Sequence, residues 1–281
     1  MKKASKSFFL FLLISAAAIL IGIAAFYAYR EKIYRSALEQ FESGETQMSY
    51  ELFSSLRNYK DAEHYLEQIL KADPVLAFRS AGKGSEVIFG RYEQDAHPDN
   101  GPEPIRWLVL DRIEDRLLLL SVGALDGKPY HTESFAPVTW ENCTLRSWLN
   151  ESFFKTAFEP SEQALIPVVL NQNSDQSAVG TEGGADTRDR VFLLSETEAS
   201  IYFGNDLDQD TIGKAYASEY VTHQNIEVDA EGAVSWWLRS PGVYPYSAQF
   251  VDQQGKPYLS GAYTDIDYQF AVRPAIWLDL R

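Results

Sequence analysis

Residues 236–242 have the sequence WWLRSPG, and residues 271–280 have the sequence AVRPAIWLDL. Both stretches are apolar and short, and Pro241-Gly242 ends the first of them, so we predict two strands. Successive side chains of a strand point to opposite faces, so one of Trp236 and Trp237 can fill a core while the other covers the second face of the sheet. We therefore predict a structural role for Trp236, Trp237 and Trp277.

Arg239 and Arg273 each lie inside one of these apolar strands. An unpaired charge would be costly there. A planar guanidinium can bind a carboxylate or several loop carbonyls at once and so hold neighbouring strands together. The alternative is that they bind a ligand, but their apolar surroundings favour the structural role. We expect mutation of either arginine to damage folding.

The residues on either side of these stretches predict further strands and a few helices. A hairpin should turn at Glu114-Asp115, helical periodicity runs from Thr144 to Phe158, and Ser195 to Glu198 form a capping box at the start of a second helix. Strands mixed with segregated helices indicate an α+β domain. The further strands are predicted at residues 87–92, 105–110, 116–121 and 248–251.

The composition excludes several classes of function. The chain has 25 Lys and Arg against 40 Asp and Glu, a net charge of −15, which disfavours binding to nucleic acid. Its single cysteine, Cys143, excludes an intrachain disulfide and any multi-thiolate metal site, and we interpret it as a packed residue. The scattered histidines lack the spacing of metal ligands. We predict no cofactor and no metal.

The amino-terminal segment predicts a membrane anchor. Residues 8–29 are 22 residues without a charge, which span roughly 33 Å as a helix. A cleaved signal peptide is the alternative, although its apolar region is usually shorter. Because Lys2, Lys3 and Lys6 precede the run, we predict residues 1–29 to be a cytoplasmic tail and signal-anchor in the lipid bilayer. Residues 81–281 would then lie outside the cell membrane of a single-pass protein.

Residues 30–80 predict a helical stem of three short amphipathic helices. Gly44 marks the first turn, Asp61 is a predicted N-cap, and Asp73-Pro74 ends the third helix. This segment resembles tetratricopeptide-type helical hairpins. Only about one and a half repeats are present, and a solenoid needs about three to be stable alone. We therefore favour a spacer over a peptide-binding groove.

Seven blocks of residues 81–281 resemble one bacterial family, in the order in which that family has them. The blocks are FGRYEQD (89–95), IRWLVLD (105–111), LLLSVGALDGKPY (118–130), VTWENCTLRSWLN (138–150), RVFLLSETEA (190–199), WWLRSPG (236–242) and AVRPAIWLDL (271–280). The region from about residue 86 to 281 is accordingly identified as a member of domain of unknown function 6273.

The WWLRSPG and VRPA blocks also resemble those of C-type-lectin-like domains, which share their fold with formylglycine-generating enzymes. This resemblance implies a compact C-type-lectin-like α+β domain whose ligand surface lies between the two blocks. Formylglycine-type oxidases bind copper through a pair of cysteines, and Cys143 has no partner in this sequence. The resemblance therefore does not carry that activity over.

The segment between the two blocks is the candidate ligand-binding surface. Flat amphipathic rings and carboxylate acceptors suit a polar ligand, such as a cell-wall glycan, or a surface protein. An ordinary solvated loop region remains the alternative. The candidate residues are Tyr244, Tyr246, Asp252, Tyr258, Tyr263, Asp265, Asp267 and Tyr268.

One acidic segment could suggest calcium. Residues 205–210 alternate oxygen donors like the start of a calcium loop, but Thr211 stands where a glycine is needed and Ala217 where a bidentate glutamate is needed. We interpret this segment as an acidic loop.

The leading hypothesis is a membrane-anchored, extracytoplasmic binding module of a bacterial envelope, with no catalytic residue evident. An alternative is a cell-envelope hydrolase that uses a carboxylate pair from Asp252, Asp265 or Asp267. A purely structural envelope protein is the third hypothesis.

Overall fold

The computed structural model describes residues 2–56, 58–203, 212–224, 226–265 and 269–281. Side chains are described for Phe11, Ser15 and the described residues from 17 onward. The chain divides into two compact units, Met1–Ser80 and Ala81–Arg281.

The first unit is helical. Gly44, whose φ is 82°, makes the turn after the first helix; glycine adopts this left-handed conformation without steric cost. The rings of Phe53 and Tyr65 stack at 4.8 Å inside a small core. The elements are α1 (Lys2–Ser43), α2 (Thr46–Ser54), α3 (Ala62–Ala72) and a 3₁₀ helix (Leu76–Phe78).

Asp61 directly precedes α3, as the sequence predicts, but its side chain makes no capping hydrogen bond to that helix. Its carboxylate accepts the hydroxyl of Tyr34 instead. This bond joins the start of α3 to α1, so Asp61 serves tertiary packing rather than helix initiation.

The predicted signal-anchor is wrong. Among the described residues, no helix is long and apolar enough to cross a membrane. Residues 8–29 do not form a helix of their own, because α1 continues through the charged residues Arg30, Glu31 and Lys32 to Ser43. The prediction of a single-pass membrane protein with residues 81–281 outside the membrane depended on this anchor, so it is wrong as well.

The second unit is a mixed α+β fold built on two five-stranded sheets. In the first sheet every neighbouring pair is antiparallel. The predicted hairpin forms between its second and third strands, where Ile113 pairs with Arg116 and Glu114 has a φ of 51°. The strand order is β1 (Glu86–Tyr92), β2 (Glu103–Ile113), β3 (Arg116–Ser121), β14 (Ala275–Asp279) and β7 (Val191–Phe192).

The second sheet contains the WWLRSPG strand at its centre. Trp236 and Trp237 are both fully buried, and their ring nitrogens donate to the Gly213 and Lys128 carbonyls at 2.9 Å. The central strand runs parallel to the strand Gln269–Val272, and the other pairs are antiparallel. The order is β12 (Pro257–Tyr263), β11 (Ser247–Val251), β10 (Trp236–Pro241), β13 (Gln269–Val272) and β4 (Asp126–Pro129).

Arg273 lies where the chain passes from β13 in the second sheet to β14 in the first, and Trp277 is half-buried in β14. The guanidinium of Arg273 is buried and donates to the carbonyls of Ser121, Val122 and Ile212 at 2.5–3.3 Å. Burial lowers the pKa of Arg273 to about 9, because removing a charge from water disfavours the protonated form.

Two short ribbons and several helices complete the second unit. Residues 144–157 are helical throughout, with a π-helical turn at Leu149–Phe153. The predicted capping box forms, since Ser195 and Glu198 exchange hydrogen bonds at 2.8 and 3.2 Å. The ribbons are β5 (Val169–Asn171) with β6 (Thr187–Asp189) and β8 (Ala215–Tyr216) with β9 (Ala233–Val234). The helices are α4 (Thr144–Trp148), α5 (Phe154–Ala157), α6 (Pro160–Gln163), α7 (Glu196–Phe203), a short helix Glu219–Thr222 and a 3₁₀ helix Pro98–Asn100.

Candidate functional site

Four aromatic rings meet on the surface of the second unit, beside the turn between β10 and β11. Tyr244 and Tyr246 are stacked, with ring centroids 5.6 Å apart and planes 6° from parallel. Tyr246 also contacts Tyr263 at 5.7 Å and Phe135 at 5.9 Å. Phe135 and Tyr263 are 5.7 Å apart. We call these four residues the aromatic shelf.

Three of the four shelf rings are exposed, and Tyr246 is half-buried. Phe135 is 63% exposed, Tyr244 51% and Tyr263 36%. Large contiguous patches of exposed apolar surface often mark sites of interaction. Aromatic side chains supply much contact area for little loss of conformational freedom, so they are enriched where proteins bind partners.

Backbone hydrogen bonds hold the shelf in place. The Ser247 hydroxyl bonds both the amide and the carbonyl of Tyr244, at 3.0 and 2.9 Å. Thr264 donates to the Tyr246 carbonyl, and its own carbonyl accepts the amide of His131 at 2.7 Å. The rings are therefore presented by a fixed turn, which lowers the entropic cost of binding.

Gly242 allows this turn to lie against β12. A Cβ at this position would be 2.4 Å from the Ser247 hydroxyl and 2.7 Å from the Ser260 carbonyl. Both distances are far inside van der Waals contact, so only glycine permits the close approach. The Pro241-Gly242 pair thus does more than end a strand.

The backbone of Phe135 is in the left-handed region, with a φ of 54°. For a residue with a Cβ this conformation costs about 1–2 kcal/mol. A large exposed ring in a strained conformation is a combination that folding alone does not favour, and such strain is concentrated at functional sites.

The strain at Phe135 predicts an unusual order of stability. We expect Phe135→Gly to have a higher free energy of unfolding than Phe135→Ala by about 1 kcal/mol, because glycine adopts the left-handed conformation freely. Urea denaturation of the two variants measures this difference. At a position in a helix or strand interior the glycine variant would be less stable than the alanine variant. If Phe135→Gly is less stable than Phe135→Ala, the backbone of Phe135 is not strained.

A groove of about 500 Å³ adjoins the shelf. Segments 137–142, 179–182 and 243–245 line it. Pro245 lies between Tyr244 and Tyr246, and its carbonyl accepts the Val138 amide at 2.8 Å. The Thr181 hydroxyl donates to the Val243 carbonyl at 3.0 Å and ties the second wall to the same turn. Shelf and groove therefore form one continuous surface.

The family described as Domain of unknown function (DUF6273) matches residues 114–280, which include the whole shelf and groove. The chain belongs to the DUF6273 family. The predicted family membership is thus confirmed over residues 114–280, which contain five of the seven blocks; the blocks at 89–95 and 105–111 lie outside the match. No curated protein and no solved structure matches the chain.

The DUF6273 domain brings only part of the predicted ligand-binding set together. Tyr244, Tyr246 and Tyr263 meet in the shelf, whereas Tyr258 lies at the other end of β12 and contacts Phe250 at 5.0 Å. Asp265 is buried. Asp267 and Tyr268 lie outside the described residues.

The geometry does not suit an Asp252–Asp265 pair. Asp252 precedes β12 and Asp265 follows it, and the seven residues of this strand span about 20 Å. The two carboxyl groups of a glycosidase are only about 5–10 Å apart. The Asp252 carboxylate moreover accepts the amides of Gln254 and Lys256, so it closes its own turn.

Three carboxylates of the second unit could come together around a cation. Single oxygens of Glu93, Asp95 and Glu103 lie within 4.8 Å of one another. Glu93 and Asp95 both accept the His97 amide, at 3.1 and 2.9 Å, and Glu103 accepts the Gln94 amide at 2.8 Å. These bonds explain the cluster as loop structure, and we assign no metal to it. The acidic segment 205–210 lies outside the described residues.

Cys143 is fully buried at the start of α4, where its sulfur accepts the Arg146 amide at 3.4 Å. Burial raises the pKa of the Cys143 thiol to about 12. The thiol stays protonated near neutral pH, so it is not suited to act as a nucleophile.

Sequence reasoning missed Phe135 and the groove. Phe135 stands in the stretch Glu133-Ser134-Phe135-Ala136-Pro137, which has neither helical nor strand periodicity. The available signal was a single large aromatic residue among turn-forming residues. Such a ring belongs to no helix or strand that would bury it, which indicates an exposed side chain. The groove segments carry no comparable signal.

Proposed function

We propose that the DUF6273 domain is a binding module whose ligand lies on the aromatic shelf and in the adjoining groove. The observation that carries the proposal is the exposure of Phe135, Tyr244 and Tyr263 beside a turn fixed by hydrogen bonds. A preformed, partly apolar groove with a few polar groups is the usual form of a ligand site. The groove provides Thr139, Asn142 and Thr181 for that purpose.

The likeness to C-type-lectin-like domains supports this location. It implies a ligand surface between the WWLRSPG and VRPA blocks, and the three tyrosines of the shelf lie between them. The likeness of residues 30–80 to tetratricopeptide hairpins adds no ligand site, and a spacer remains the role we propose for them. The hydrolase alternative has no supporting geometry from Asp252 and Asp265.

Array binding of the full-length protein tests the proposal. We expect the wild-type protein to bind members of an oligosaccharide array or a synthetic peptide array, and Tyr246→Ala to weaken that binding at least tenfold. Tyr246 contacts all three other rings, and truncating a central aromatic anchor typically costs about 2 kcal/mol or more of binding energy.

Tyr258→Ala is the matched control. Tyr258 is a tyrosine of β12 that is 50% exposed and lies at the opposite end of that strand from the shelf residue Tyr263. Its loss should change binding less than twofold. Equal losses in the two variants, or no binding to either array by a folded wild-type protein, would refute the proposal and favour a purely structural role.

A further inference from the structure

We infer that the ligand of the shelf and groove is a positively charged, extended polypeptide segment. The inference rests on the proposed function and adds the chemistry of the ligand. Its basis is the charge of the three segments that build the surface, residues 131–142, 172–186 and 242–246. They contain two, three and no carboxylates respectively, and not one Lys or Arg.

The carboxylates lie next to the groove. Glu182 lines it. Asp175 accepts the amide of Gly183 at 3.0 Å, beside Glu182, and Glu141 accepts the amide of Ala185 at 3.2 Å. Glu133 is exposed two residues before Phe135. One acidic group therefore lines the groove, and the others lie in the segments that build it.

Three arginines lie close to these segments and do not cancel the charge. Arg239 donates to the Gln172 carbonyl at 3.4 Å, but its guanidinium is buried and paired with Glu198. Arg146 donates to the Glu141 carbonyl at 2.8 Å, but its guanidinium is paired with the buried carboxylate of Asp189 at 2.6 Å. Arg188, in β6, is exposed. Counting Arg188 against the five carboxylates still leaves an excess of four negative charges.

Charge selects among the ligands that aromatic rings accept. A cleft lined by one sign of charge attracts the opposite sign and repels the same sign. Lysine and arginine also bind over the faces of aromatic rings. A neutral glycan can donate hydrogen bonds to the carboxylates but is not attracted by their net charge, and an acidic polymer would be repelled.

Size and lining favour a short stretch of polypeptide. The groove volume of about 500 Å³ is within the range of pockets for small ligands, so it fits a few side chains rather than a folded surface. Pro137, Pro245, Val179 and Val243 provide apolar contact for an extended chain. Grooves lined by aromatic residues bind such segments in several domain families.

Peptides of matched length test the inference. Fluorescence anisotropy with the full-length protein would compare three labelled twelve-residue peptides in which proline alternates with lysine, glutamine or glutamate. We expect the lysine peptide to bind at least tenfold more tightly than the glutamine peptide, and the glutamate peptide most weakly. Raising the salt from about 50 to 200 mM should weaken binding of the lysine peptide severalfold, because salt screens exposed charges.

A charge-matched pair of variants separates local attraction from the net charge of the protein. Both triple variants remove three exposed carboxylates, so their net charges are equal. The groove variant is Glu133→Gln/Glu141→Gln/Glu182→Gln, and the control variant, outside the three segments, is Asp99→Asn/Glu151→Gln/Glu227→Gln. We expect the groove variant to weaken lysine-peptide binding at least tenfold and the control variant to weaken it less than twofold.

The outcomes distinguish the two proposals. If the glutamine peptide or a neutral oligosaccharide binds as tightly as the lysine peptide, and Tyr246→Ala abolishes that binding, the inference is overturned and the proposed function stands. If the two triple variants lose binding equally, the attraction comes from net charge and the inference is again overturned. If nothing binds at the shelf, both proposals fail.

Discussion

Replacing Asp189 by alanine is expected to lower the free energy of unfolding by about 4 kcal/mol. Asp189 is 1% exposed, so the donors around its carboxylate cannot turn to water for replacement bonds. It accepts hydrogen bonds of 2.6–3.1 Å from the side chains of Trp140, Arg146, Asn171 and Thr187.

The size of this effect follows from unsatisfied donors. Each buried donor left without a partner costs about 1–3 kcal/mol, and breaking a buried ion pair by removing one partner costs about 3–5 kcal/mol. Asn171 and Thr187 stand at the two ends of the loop that forms one wall of the groove. The Asp189 carboxylate therefore closes the base of that loop, and its loss should loosen the candidate site as well.

Urea denaturation measures the change, with Asp186→Ala as the matched control. Asp186 is an exposed aspartate three residues earlier, in the same loop. Its removal should alter the free energy of unfolding by less than about 1 kcal/mol, as is usual for surface substitutions. A similar small effect of Asp189→Ala would show that the buried network does not stabilise the domain.

Replacing Arg239 by methionine is expected to lower the free energy of unfolding by about 3 kcal/mol or more. Arg239 is 4% exposed. Its guanidinium donates to the Leu193 carbonyl at 2.7 Å and to the Gln172 carbonyl at 3.4 Å, and it pairs with the Glu198 carboxylate. Methionine keeps much of the length but leaves the carbonyls and the carboxylate without this donor.

A double-mutant cycle with Glu198→Gln isolates the ion pair. Arg239 and Glu198 are in direct contact, so we expect their effects to be non-additive by at least about 1 kcal/mol. Glu198 also caps α7 through the Ser195 amide, and glutamine can accept this bond as well. Normal stability of Arg239→Met together with lost binding on the arrays would instead favour the ligand-binding role of Arg239.

Much of the fold was predictable because its signals are local. The turn at Glu114, the capping box at Ser195 and Glu198, and the strand around Trp236 and Trp237 all depend on residues within a few positions of each other. Local rules failed where a longer context decided the outcome. Asp61 had the right position for a cap, but its carboxylate accepts a hydrogen bond from the hydroxyl of Tyr34, 27 residues away.

The candidate site was predictable only in part. Composition pointed to the tyrosines between the WWLRSPG and VRPA blocks, and three of them do meet. It could not separate Tyr258 from Tyr263, because both are tyrosines of β12 and they differ in which end of that strand they occupy. Nor could it place Phe135 beside Tyr246, since the two are 111 positions apart.

The sequence by itself determined the α+β class, the family and the acidic character of the groove segments. These properties depend on periodicity, ordered blocks and composition, all of which are present in the chain before it folds. Only the tertiary structure decided that Phe135 joins three tyrosines and that Asp189 closes the base of the adjacent loop. Contacts between residues so far apart depend on how the two sheets pack, because no short-range pattern records which loops will meet.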